Sequence, residues 1–171
     1  MTTDYAIPFW LLVASYWLHL LATVVWLGGL VVMSLVAWPA VRRRVLTPEV
    51  WAELQRRLTP LTNTSLVILL ITGFIQMTAD PNYEGFLQVR TLWAQAILVK
   101  HLAFLGMVGL AAVMQWRIQP ALARLSLLAA TKPQLAAAER EKLTQRELHL
   151  LRWNLLCAAA VLLCTAVATA V

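Results

Sequence analysis

The sequence predicts an all-α polytopic membrane protein, a four-helix transmembrane bundle with both termini on the outer side. Three observations lead there. Charged residues make up 13% of the chain against 61% hydrophobic ones, and mean hydropathy is +0.72, whereas soluble domains carry about 25% charge. The few charges are segregated, leaving four stretches at about 9–38, 61–79, 91–116 and 150–171. Each can cross the ~30 Å hydrocarbon layer as about 20 helical residues. None alternates apolar and polar residues with a strand period, and only helices or closed barrels satisfy their own backbone in lipid.

The basic residues set the orientation. Of 14 Lys and Arg residues, five lie between the first two segments: Arg42, Arg43, Arg44, Arg56 and Arg57. Six more lie between the third and fourth: Arg117, Arg124, Lys132, Arg140, Lys142 and Arg146, with Arg152 just inside the fourth. The loop between segments 2 and 3 carries only Arg90. Cationic loops are retained in the cytoplasm, so loops 1 and 3 are expected there, in a membrane of the bacterial inner type. This distribution also turns the net charge of +6 away from nucleic acid. The basic residues flank lipid-spanning segments instead of forming one binding face, and the expected partner is the bilayer.

Segment 1 follows an N-terminus with Asp4 and no basic run, and it is too long for a signal-peptide core, so it is expected to remain as a membrane helix. Trp10 and Trp93 mark outer ends of segments, and Trp38, Trp116 and Trp153 mark inner ends, as in interfacial aromatic belts. In loop 1, Thr47-Pro48-Glu49 reads as a helix start, with a cap, a first-turn proline and a first-turn acid. Val50, Leu54 and Leu58 follow at helical spacing, which predicts an interfacial helix over about 48–58 that ends near Pro60. The one outer loop, Ala79-Asp80-Pro81-Asn82-Tyr83-Glu84-Gly85, has turn chemistry throughout. Helix 3 is expected to continue past the membrane towards Pro120. Thr131-Lys132-Pro133 then restarts a helix, giving segment 4 a charged cytoplasmic extension over about 133–149, read as a solvated face or a homodimer contact. A single domain without an internal repeat is expected. Cys157 and Cys164, seven residues apart, share a helix face about 10 Å apart. They cannot bond each other there, and they read as small buried hydrophobes.

His19 and His101 carry the functional signal. An ionisable side chain within the hydrocarbon layer is costly and marks a functional position by default. His19 lies nine residues past Trp10, and His101 lies ten past Thr91. Both therefore fall about 14–15 Å below the outer ends of two segments running in the same direction. Two imidazoles at one depth suit axial ligation of a haem iron. The face of His19 continues through Ala22, Thr23 and Trp26, and Gly28 and Gly29 follow, allowing close approach of a helix or a flat macrocycle. Lys100, beside His101 but turned about 100° around the helix, is a third candidate: a partner for a haem propionate, an alternative axial ligand, or a residue that snorkels outward. His149 falls at the inner end and reads as interfacial. The rival metal is copper, for which His19 and His101 would be joined by Cys164 as a soft ligand, with Met77 and Met107 scattered nearby. No phosphate-cradling glycine loop, His-Glu-x-x-His motif or intramembrane carboxylate pair is present, so any catalysis would be redox chemistry carried by a cofactor.

Trp17-Leu18-His19-Leu20-Leu21 and Val24-Val25-Trp26-Leu27-Gly28-Gly29 resemble the first helix of the CopD-like membrane domain of copper resistance proteins, and also that of HemJ-type protoporphyrinogen oxidases. The similarity continues through Arg57-Leu58-Thr59-Pro60, Ile71-Thr72-Gly73 and Leu92-Trp93-Ala94-Gln95-Ala96-Ile97-Leu98-Val99-Lys100. Gln115-Trp116-Arg117-Ile118-Gln119-Pro120 is the more CopD-like stretch. The first resemblance implies copper uptake or homeostasis in the inner membrane. The second implies a b-type haem held by a first-helix His and a third-helix Lys, positions matched here by His19 and Lys100, and oxidation of protoporphyrinogen; a haem redox protein here is expected to draw electrons from a quinol or porphyrin-type donor in the membrane. His101 departs from that pattern, and iron's preference for imidazole favours it over Lys100. A third expectation is an accessory subunit of a larger membrane complex, with histidines that only pack and hydrogen-bond.

Overall fold

The computed structural model describes residues 7–43, 45–85, 88–128 and 132–171, so Asp4, Arg44 and Thr131 lie outside the described residues. All regular structure among these residues is helical. In chain order it comprises α1 (Phe9–Val31), a π-helical turn (Val32–Ala37), α2 (Trp38–Arg42), α3 (Pro48–Ala79), α4 (Leu92–Val113), a second π-helical turn (Met114–Ile118), α5 (Gln119–Leu128) and α6 (Pro133–Ala170). Four helical stretches are long and apolar enough to cross a membrane: Phe9–Arg42, Val50–Ala79, Leu92–Leu125 and Gln134–Ala170. The chain is an all-α protein with the helices of a multi-pass membrane protein.

The helix ends follow local chemistry. The Thr47 side chain accepts from the Val50 amide at the start of α3, and Thr91 accepts from the Ala94 amide at the start of α4. Both satisfy one of the orphan donors of a first helical turn. After α3, the Asp80 carboxylate accepts from the Asn82 amide at 2.9 Å, and Gly85 adopts φ +120°, a conformation that favours glycine. The expected break near Pro60 is absent, because α3 runs unbroken from Pro48 to Ala79. Pro60 is exposed. The carbonyl it leaves without an amide donor, four residues back at the exposed Arg56, can be hydrated, so this proline interrupts the hydrogen-bond ladder without ending the helix.

Pro39 and Pro120 act differently. A proline within a helix lacks the donor for the carbonyl four residues back and crowds it with its ring. Those carbonyls belong to Leu35 and Trp116, and each lies inside a π-helical turn. Just before each proline, the amides of Trp38 and Gln119 reach five residues back, to the carbonyls of Met33 and Met114. Widening the turn relieves the clash and lets the helix continue.

The chain divides into two compact units, Met1–Gln95 and Ala96–Val171. In the first, α1 and α3 pack antiparallel, with Ser15 meeting Thr72 and Gly29 facing Thr62. Ala22, Trp26, Leu30, Met33 and Ala37 form a buried stripe at steps of three and four residues, the periodicity of one helix face. In the second unit α6 packs against α5 and the π-turn before it, and the Cys157 sulfur lies 3.7 Å from where a Cβ on Gly106 of α4 would stand. The same order of elements occurs in both units: a long helix, a π-turn, a short helix with proline at its second position, and a long helix opened by proline. No residue-level repeat announces this, because apolar side chains facing lipid are interchangeable, whereas prolines fix backbone geometry.

Candidate functional site

His19 projects from α1 onto α3. Its Nδ1 lies 2.8 Å from the Thr72 hydroxyl oxygen, and its Cε1 packs 3.6 Å from where a Cβ on Gly73 would stand. The Thr72 hydroxyl is 2.6 Å from the carbonyl of Ile68, one turn back in α3. A carbonyl only accepts, so the single hydroxyl proton of Thr72 is directed there. The contact with His19 then has one consistent direction: the imidazole Nδ1–H donates and Thr72 Oγ1 accepts. His19 is held as the Nδ1–H tautomer, and Nε2 is the nitrogen with the basic lone pair.

His101 reaches the same state by a shorter route. Its Nδ1 lies 2.7 Å from the carbonyl of Ile97, one turn back in α4, so Nδ1–H is again the donor. In the neutral ring the lone pair is then again on Nε2. In both half-buried histidines one ring nitrogen thus donates to a fixed acceptor, the arrangement that orients metal-binding imidazoles.

His19, Trp26 and Gly29 belong to the first unit, and Lys100, His101 and Cys164 to the second. Trp26, two turns below His19, is 4% exposed, and Ala22 between them is 5% exposed. Gly29 faces α3, with Thr62 Oγ1 3.9 Å from a Cβ built on it, an ordinary contact distance that leaves room for a methyl group. Thr23, on the expected His19 face, turns its hydroxyl back to the His19 carbonyl at 2.8 Å. Lys100 is half-buried in α4, within electrostatic reach of Cys164 on α6. Cys157 and Cys164 are both free thiols, and His149 is exposed. Met107 is almost fully buried in α4. Among the described residues, no three His, Cys, Asp or Glu side chains come together as metal ligands.

Sequence reasoning missed the polar residues that pack around these positions. Thr72, Ser15 and Gln76 link α1 to α3. The Ser15 hydroxyl donates to the Thr72 carbonyl at 3.3 Å, and the Gln76 amide donates to the Ser15 carbonyl at 3.2 Å. Glu147 falls in the stretch expected to be a solvated extension, yet it is 1% exposed on α6. Its place in the series Glu147, Leu151, Asn154 and Ala158, at steps of three and four, is the signal that marks it, because all four are buried. Comparison with protein-family models, curated proteins and solved structures gives no match to this chain.

Proposed function

We propose that this chain is an integral membrane redox protein that would bind a b-type haem, for which His19 and His101 each offer an imidazole ligand. The observation that supports the reading is the shared ring orientation: each histidine donates Nδ1–H to a fixed oxygen, which in the neutral ring puts the lone pair on Nε2. Iron in a porphyrin needs only one or two protein ligands, and imidazole is a common one, so the donor set fits. The bound group would supply one-electron exchange with a membrane-soluble donor of quinol or porphyrin type. The chain's own part is to fix two imidazoles within apolar helices, pack Trp26 two turns below His19, and keep water from the iron.

His101 is favoured over Lys100 by its position in the fold. His19 precedes the first π-turn by thirteen residues and His101 precedes the second by the same number, whereas Lys100 aligns with the exposed Leu18. The resemblance to CopD-like proteins belongs to the copper alternative, and that to HemJ-type proteins belongs to this reading. So does a place in a bacterial inner membrane with loops 1 and 3 in the cytoplasm, supported by the basic residues of those loops.

The test is an absorption spectrum of detergent-purified protein from haem-replete cells, oxidised and dithionite-reduced, beside His19→Ala. A Soret band with a sharp reduced α-band, lost in the variant, is expected. A featureless spectrum overturns the reading. Stoichiometric copper in that sample, lost with His19→Ala, would assign the imidazoles to copper instead, with Cys164 as the next ligand to test.

A further inference from the structure

We propose that Thr72 is the positioning residue of His19, selecting its tautomer and ring orientation from a different helix. The inference rests on the haem reading for its consequence, but its geometry stands within the first unit alone.

The two histidines differ in what holds them. The acceptor for His101 is a carbonyl of its own helix, four residues back, and travels with it. The acceptor for His19 is a side chain on α3, 53 residues away in sequence. An isolated α1 would leave the ring free to rotate and either nitrogen free to carry the proton. Three features of α3 remove that freedom. The Thr72 hydroxyl proton is committed to the Ile68 carbonyl at 2.6 Å, with the Leu69 carbonyl a more distant acceptor at 3.5 Å, which makes Oγ1 an acceptor towards the ring. The ring edge faces Gly73, with Cε1 in ordinary contact range, 3.6 Å from the Cβ position. The bonds of Ser15 with Thr72 and Gln76 fix the axial register of α1 on α3, so that Thr72 stands level with the imidazole. Thr72 itself is 4% exposed, which limits water as a substitute acceptor.

An acceptor on the distal N–H both orients a ligating imidazole and raises its basicity. Losing it should weaken ferric more than ferrous ligation, because the more charged ion gains more from a basic ligand. Thr72→Val keeps the shape and removes the acceptor. Thr72→Ser keeps the acceptor and its own bond back to Ile68.

The experiment reads the apo protein first. With 15N-labelled histidine in detergent, and His19 signals assigned from His19→Asn, two-bond nitrogen–proton correlations report which ring nitrogen carries the proton. Wild type and Thr72→Ser should show His19 as the Nδ1–H form, and Thr72→Val should lose that preference while His101 keeps it. The haem-loaded proteins are compared next. Thr72→Val should bind haem about 10- to 100-fold less tightly and show a raised midpoint potential, with Thr72→Ser close to wild type. A His19 Nε2–H tautomer in the wild-type apo protein overturns the proposal outright, even if Thr72→Val fails to fold. An unchanged tautomer in a folded Thr72→Val overturns it as well. Because the tautomer is measured without haem, failure of the haem reading would appear separately, as a missing Soret band in wild type.

Discussion

The indole of Trp38, where α2 begins, meets the indole of Trp51 in α3 edge to face, with centroids 6.2 Å apart and an interplanar angle of 66°. Both rings are 6% exposed. Trp38 is therefore more than a member of an interfacial belt, because its contact ties the two sides of the first connecting loop together. Replacing a buried Trp by Ala typically costs about 3–5 kcal/mol. Trp51→Ala is expected to lose stability on that scale in reversible unfolding from mixed micelles. Trp51→Phe, which keeps an aromatic edge, is expected to lose clearly less. Equal losses would mean that the edge-to-face geometry contributes nothing.

The choice between Lys100 and His101 has a spectroscopic answer. With haem bound, His101→Ala should convert a six-coordinate low-spin ferric centre to a high-spin one, while Lys100→Met leaves the spin state unchanged. Electron paramagnetic resonance at low temperature separates the two. The opposite pattern would assign the second ligand to Lys100.

If Pro39 and Pro120 cause the π-turns, restoring the missing donor should remove them. Pro120→Ala offers an amide to the Trp116 carbonyl, and the segment 114–118 is expected to revert to α-helix. Amide deuterium exchange across that segment should slow. Unchanged exchange would place the origin of the π-turn in the packing of α6 against it.

Asn154 Oδ1 is buried without a hydrogen-bond partner. An unsatisfied buried polar atom costs about 1–3 kcal/mol, so Asn154→Leu, which keeps the branched four-atom side chain without its polar atoms, should unfold at a higher temperature than wild type. Lower stability would show that the amide is satisfied in the membrane.

The proposed sidedness of the loops rests on their basic residues. In a Cys157→Ser, Cys164→Ser background, R56C and N82C should differ towards a membrane-impermeant maleimide applied to intact spheroplasts. Labelling is expected only at position 82. Labelling at position 56 alone would invert the topology.

The four long helices are legible in the sequence because an apolar run of about 20 residues almost without charge matches the thickness of a bilayer. The cap at Thr47 is legible because a proline and an acid follow the hydroxyl, whereas the cap at Thr91 carries no such signal. Pro60 misleads: a proline that an exposed carbonyl can accommodate looks, in sequence, like a helix stop. The histidines stand out because titratable groups are conspicuous among Leu and Val. Thr72 does not, since threonine is common in membrane helices and its role depends on the register of α1 on α3, which no local pattern encodes. Glu147 is hidden by its neighbours, because a buried acid in a charged run has the same composition as a solvated one.

α6 is one continuous helix of 38 residues, about 57 Å long at 1.5 Å per residue, whereas the hydrocarbon layer is about 30 Å thick. Nearly half of it extends beyond a hydrocarbon layer that it crosses upright. The buried Ala136, Glu147 and Ala158 stand along this one rod, so a displacement at its charged end reaches the apolar end without passing a joint.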